Sequence, residues 1–125
     1  MGEANITTAL SVAATRQAAL AHELDRLSDV LAAAGALRVI VYGSFARGEV
    51  GADSDLDLLV VVPEDGLGFV ERLAHLYALA QPTLPCDLLA YTEGQLSALA
   101  EASDLVATAL REGRAVYARS VPPGV

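Results

Sequence analysis

The chain has 125 residues, 54% of them hydrophobic, and sixteen acidic against eight basic side chains give it a formal charge of -8. That length accommodates one compact domain with its own core and leaves no room for a second, substrate-binding domain. The negative charge disfavours nonspecific contact with a phosphate backbone, because no net counterion release would drive it, and so argues against polymerase or tailing work on long nucleic acid.

Cys86 is the sole cysteine, which excludes an internal disulfide and points to a reducing, cytoplasmic setting; its apolar neighbours favour a buried, inert thiol. The first residues have no basic stretch leading into an apolar run, so no signal peptide is expected. Asp57 and Pro63 bracket the most hydrophobic stretch, too short to span a membrane, and the protein reads as soluble.

Over residues 8–34, Leu20, Leu24, Leu27 and Leu31 recur at the spacing of a helix face, and Gly35 stands where a C′ glycine ends a helix. Residues 37–42 form a strand rich in β-branched side chains, stopped by Gly43 and Ser44. Residues 47–54 are a polar, glycine-containing loop entered through one turn of helix. Residues 55–62 read as a second strand, with Asp55 and Asp57 on one face ahead of an almost continuous apolar run. After Pro63 and a turn, a helix over 67–80 is expected to bury Val70, Leu73 and Tyr77. Residues 84–91 are a third strand in which Asp87 is the only charge. Thr92 and Gln95 have capping-box spacing at the start of a last helix reaching to about residue 112, and 114–117 form a final short strand. The fold class is therefore α/β (α+β). A helical segment, 1–36, packs on the same domain as a core over 37–119, and 120–125 form a flexible tail.

The chemistry concentrates at two of these junctions. Gly43 permits a tight turn and close backbone approach, and Ser44 offers a hydroxyl and an N–H where a helix begins; both suit triphosphate oxygens. No P-loop lysine motif accompanies them. Asp55 and Asp57 would set two carboxylates side by side, a costly arrangement that a cation relieves, and Mg²⁺ with its preference for hard oxygen ligands is the natural choice. A third carboxylate on another strand would admit a second metal for in-line displacement, and Asp87 is the candidate. Charges on such apolar strands are seldom left without a partner.

Gly43, Ser44, Arg47, Gly48 and Ser54, followed by Asp55-Leu56-Asp57-Leu58-Leu59-Val60, resemble the signature of the DNA polymerase β-like nucleotidyltransferases. The short form is similar to the minimal nucleotidyltransferases of bacteria and archaea; weaker similarity extends through Asp87 to the stretch from Glu112 to Tyr117. The resemblance implies a small mixed β-sheet flanked by helices. It further implies Mg²⁺, two ions in all, held by Asp55, Asp57 and Asp87, with NTP phosphates at Gly43 and Ser44. Arg47 either sits by the triphosphate or pairs at the surface with Glu49 or Asp53. Tyr42 either contacts nucleotide or packs. His22 and His75 lack partners at metal-ligand spacing and read as structural or surface residues, and Glu101 and Asp104 as a solvated helix face.

The reaction expected from that resemblance is transfer of AMP from ATP to a hydroxyl acceptor. Minimal members of the family are often antitoxins paired with a helical HEPN-type RNase, some adenylylating a tyrosine of that toxin. The acidic charge and absent substrate domain fit a protein acceptor best. A nucleotide-binding antitoxin acting by contact alone is the alternative, and an aminoglycoside-type adenylyltransferase would need a second domain or a homodimer to build its acceptor pocket.

Overall fold

Two stretches dominated by Val, Ile and Leu, one after Leu37 and one after Asp55, pair antiparallel and form the centre of the molecule. The computed structural model describes residues 2–119. In chain order it contains α1 (Gly2–Ala33), β1 (Arg38–Tyr42), α2 (Gly43–Ala46), β2 (Leu56–Val62), α3 (Phe69–Ala80), β3 (Cys86–Thr92), α4 (Glu93–Ala102), α5 (Asp104–Glu112) and β4 (Arg114–Ala118). The four strands form one sheet in the order β3-β2-β1-β4; β2 and β3 are parallel and the other pairs antiparallel. The sheet is thus mixed and carries helices on both faces. The tail expected at 120–125 lies outside the described residues.

Strand alternation divides the apolar side chains into two cores. Val39, Val41, Leu58, Val60 and Leu88 join Leu20, Leu24, Leu27 and Leu31 of α1 and Leu76 of α3. Ile40, Leu59 and Val61 turn the other way, against Leu96 of α4 and Val106 of α5. α1 ends as Gly35 requires: at φ +103°, with the Ala36 N–H bonded to the Leu31 carbonyl, it closes the helix in a left-handed cap. The helix also starts earlier than residue 8, and its described side chains between 10 and 19 are exposed or half-exposed.

Two expectations are corrected. The single helix expected after Thr92 is two, because Ser103 leaves helical geometry (φ -126°, ψ 119°) and its hydroxyl caps α5 by accepting from the Val106 N–H. The Thr92 and Gln95 capping box forms as expected. The α3 stripe is also broader than expected and misses its first member: Val70 is 76% exposed, Leu73 and Tyr77 pack half-buried against the core, and Arg72, Leu76 and Ala80 are buried. An arginine can occupy that stripe because all its donors find acceptors. Arg72 Nε and Nη2 donate to both Asp65 oxygens at 2.9 and 2.8 Å, and Nη1 donates to Gln95 Oε1 at 3.0 Å and the Ala90 carbonyl at 3.3 Å.

The outer edge of β3 is closed by side chains in place of a fifth strand. The Tyr77 hydroxyl donates to the Cys86 carbonyl at 3.0 Å and accepts from the Leu88 N–H at 2.9 Å, and Arg72 takes the Ala90 carbonyl further along. Such capping removes the unpaired backbone groups that make an edge strand a pairing hazard. Buried Glu23 does comparable work beneath: it accepts from Arg26 Nε at 2.6 Å and from the Thr83 hydroxyl at 2.7 Å, pinning the turn before β3 to α1. Its hydrogen bond with Arg26, helped by Thr83, holds the carboxyl down to about 2.

Candidate active site

The register of the three inner strands decides which side chains meet. Tyr42 on β1 lies opposite Asp57 on β2, and Asp57 lies opposite Asp87 on β3. Directly opposed residues share a face, so Tyr42, Asp57 and Asp87 form a row across the sheet, on the face that α4 and α5 cover further along. Asp55 stands two residues before Asp57, just ahead of the strand. It is positioned from outside: Arg16 of α1 donates to the Ser54 carbonyl at 2.8 Å, and the Leu56 N–H bonds to the Pro85 carbonyl at 3.1 Å. Asp57 is half-buried and Asp87 exposed, so the row opens to solvent.

The charges in this row act on one another. Burial first, then the neighbouring Asp55 and Asp87, pushes the Asp57 carboxyl up to about 6, with Arg47 opposing. Burial and the charges of Asp57 and Asp87 push the Tyr42 hydroxyl up to about 12, so it remains a protonated donor at the base of the row. Cys86 is likewise pushed up to about 12, chiefly by burial, which makes it a poor nucleophile.

Asp57 sets the sign of a pH effect. Its folded value of about 6 lies above the ordinary carboxyl value of about 3.9. Below about pH 4 both folded and unfolded chains hold this proton. As pH rises through about 6 the folded chain must take up an unfavourable charge, and the stability this group contributed at low pH is lost. Without divalent cation, Asp57→Asn is therefore expected to raise the melting temperature at neutral pH and to leave it unchanged near pH 4. Thermal scans in EDTA check this, and carbon NMR of the carboxyl locates its midpoint.

Gly43 completes the row from β1. At φ +77° it turns the chain directly into α2, and a Cβ built there would run into Asp57 Oδ2. The Asp57 carboxylate thus rests against bare backbone at the point where the first N–H groups of α2, which no helical bond uses, begin. Gly43→Ala would suffer both the positive φ and the collision. It is expected to lower the transfer rate by about a hundredfold or more, since displacing a reacting group by about 1 Å costs that much. Labelled-product assays, with circular dichroism to show an intact fold, test it.

Ser44 is half-exposed beside Gly43. Arg47 follows one turn later; its Nε pairs with Glu49 at 3.0 Å and its Nη1 lies 3.7 Å from Glu112. Asp53 does not appear among its partners, and Glu112 was not foreseen. The chain contains no lysine, so every cation near the site is an arginine, and Arg47 is close enough to Asp57 to oppose its upward shift. His22, His75, Glu101 and Asp104 are exposed.

Among the described residues, no three His, Cys, Asp or Glu side chains are gathered tightly enough to make a ready metal cage. The carboxylates share a face and a field rather than a closed ligand set. That arrangement suits Mg²⁺, which is generally held by one or two carboxylates with water and substrate phosphates supplying the remaining oxygens. The donors are hard, they repel one another when bare, and the Gly43 turn leaves backbone open beside them.

Sequence reasoning missed Arg16, Glu23, Arg72 and the pairing role of Glu112, which hold the site or its frame; Tyr77 was expected to pack, but not to cap the β3 edge. Glu23 and Arg72 carried a signal: each is a charge placed at apolar helical spacing, Glu23 among Leu20, Leu24 and Leu27, Arg72 four before Leu76.

A mixed four-stranded sheet between helices, with an acidic row at the end of a strand-glycine turn, is an arrangement suited to nucleotide chemistry. Residues 24–115, well over half the chain, match the family described as "Nucleotidyltransferase domain", and the chain belongs to that family, among the polymerase β-like nucleotidyltransferases. A crystal structure of a candidate nucleotidyltransferase from Sulfolobus solfataricus shares the fold, with a TM-score of 0.61 and 18% identity over 86% of this chain and 88% of that one. No curated protein sequence matches this one. Among the described residues no helix is long and apolar enough to cross a membrane.

Proposed function

We propose that this protein is a Mg²⁺-dependent adenylyltransferase of the minimal kind, moving AMP from ATP to a hydroxyl of a protein partner. The observation that carries the reading is the Asp57 carboxylate, pressed against Gly43 on one side and facing Asp87 across the strand pair on the other. Asp55, Asp57 and Asp87 would hold the metal ions. Mg²⁺ bound there supplies neutralisation of phosphate charge and acidification of the attacking hydroxyl.

The chain's own residues do the positioning. The Gly43 and Ser44 backbone receives the β- and γ-phosphates, and Arg47 exchanges its exposed carboxylate partners for them. The acceptor oxygen bonds to the α-phosphorus, the bond to the bridging oxygen breaks, and its electron pair leaves with pyrophosphate. The hydroxyl proton passes to the exposed Asp87 carboxylate and on to water. Catalysis of this kind is placement and charge stabilisation rather than covalent chemistry.

A protein acceptor is favoured by the charge of -8, which disfavours a nucleic-acid acceptor. A HEPN-type toxin, with this protein as its cytoplasmic antitoxin, is the partner this reading names. Incubation with α-labelled ATP and Mg²⁺, with and without a co-expressed helical partner, tests it: label on the partner supports the reading. ATP binding with no label and no AMP release points to an antitoxin that acts by contact alone.

A further inference from the structure

The sheet face that carries Asp57 continues along β3 past the carboxylates. Asp87, Leu89 and Tyr91 alternate to that face. Tyr91 stacks on Phe69 of α3, with ring centroids 5.3 Å apart and planes 18° from parallel. Beside the stack lies an open groove of about 380 Å³ lined by Phe69, Tyr91, Gln95, Ala98 and Leu99. Phe69 is 40% exposed, an unusual position for an aromatic ring that closes no core. Gln95 turns its oxygen inward, accepting from the Thr92 N–H and from Arg72 Nη1, which leaves its amide N–H groups for a ligand.

Resting on the transfer reading above, we infer that this groove anchors the acceptor: it takes an apolar side chain of a neutral or basic polypeptide segment whose hydroxyl residue reaches Asp87. Direction is the first argument. In an in-line displacement the attacking oxygen and the leaving pyrophosphate stand on opposite sides of the phosphorus. The Gly43 turn, where the pyrophosphate departs, lies on the β1 side of Asp57, so the acceptor enters from the β3 side. The groove is on that side and on that face.

Charge is the second argument. The elements that build the groove carry Glu71, Glu93, Glu101 and Asp87; Glu93 is paired with Arg38 of β1 at 3.1 Å, and the only arginine of these elements, Arg72, is buried and bound to Asp65, so the balance stays negative. A net-negative frame of this kind repels a phosphate polymer and complements a basic segment. Spacing follows from the strand. Asp87 and Tyr91 are four residues apart, about 13 Å along β3. An extended acceptor therefore places its anchor about four residues from the modified hydroxyl.

Synthetic peptides test this directly. Each carries one tyrosine or one serine as acceptor and a single leucine two to six residues away, in a background of glycine, alanine and arginine. They are incubated with α-labelled ATP and Mg²⁺, and AMP released to water is measured in parallel. Labelling is expected to be about tenfold faster with leucine near the fourth position than without leucine, the discrimination an apolar pocket gives. Ala98→Arg, at an exposed helix position, and Phe69→Ala are both expected to abolish that preference while leaving AMP release to water unchanged. Rates indifferent to the leucine, or a preference that survives both variants, overturn the inference, as does labelling of an oligonucleotide end in place of every peptide. Absence of both peptide labelling and AMP release from the wild-type protein instead overturns the transfer reading, and the inference with it.

Discussion

Asp57→Asn is expected to reduce nucleotidyl transfer by about a thousandfold or more while the fold persists, a loss on the order of 4 kcal/mol of transition-state stabilisation. The carboxylate is the member of the acidic row that touches everything else: it lies opposite both Tyr42 and Asp87, feels Asp55 and Arg47, and rests against Gly43. The amide keeps its volume and removes its charge, so the loss reads metal and phosphate handling rather than packing. The same change removes the repulsion that pushes this group up to about 6. A dead enzyme that melts higher than wild type at neutral pH is thus the expected signature. Initial rates with α-labelled ATP, alongside thermal melts with and without Mg²⁺, measure both halves. A variant retaining a tenth or more of the activity would remove Asp57 from the chemistry.

Arg72→Met carries the largest expected cost to stability, about 1–3 kcal/mol, the range for leaving a buried polar group without its hydrogen-bond partner. Its side chain is 3% exposed, and it ties the turn after β2, through Asp65, to β3 and to the α4 cap at Gln95. Methionine fills much of the volume but takes the Arg72 donors from Asp65, Gln95 and the Ala90 carbonyl; Asp65 keeps the Leu67 N–H and Gln95 the Thr92 N–H. Asp65 loses the partner that holds its carboxyl well below the usual range. Against a typical total of about 5–15 kcal/mol, that loss is large. Urea unfolding of Arg72→Met, of Asp65→Asn and of the double variant checks it. The double variant is expected to be less unstable than the sum of the singles, because the second change removes a charge already orphaned. Simple addition would mean that the pair contributes no coupling.

The elements that local chemistry dictates were legible in the sequence. Gly35 could end α1 because only glycine takes its positive φ cheaply, the leucines at 20, 24, 27 and 31 could define its buried face, and Thr92 with Gln95 could announce a helix start. The break at Ser103 was less visible, since a serine inside a helical pattern caps a new helix only when the chain turns there. The buried face of α3 was only partly legible: Leu73 and Tyr77 pack against the core as expected, but Arg72 is polar by type and core by position. Only partners 5 to 23 residues away offset the cost of that burial.

For the site, the sequence by itself determined the local motif: a glycine-serine turn, then Asp55 and Asp57 ahead of an apolar run, with a lone Asp87 inside another. Each of these follows from residue type and short spacing, which the chain carries with it. What the tertiary structure alone decided is the register that sets Asp57 between Tyr42 and Asp87, the contact of Asp57 with Gly43, the pairing of Arg47 with Glu112, and the aromatic groove beside β3. Those depend on strand pairing, where a slip of one residue sends every side chain to the opposite face. No local pattern encodes that choice; the two apolar cores make it jointly, by leaving one register in which both faces of β2 are buried at once.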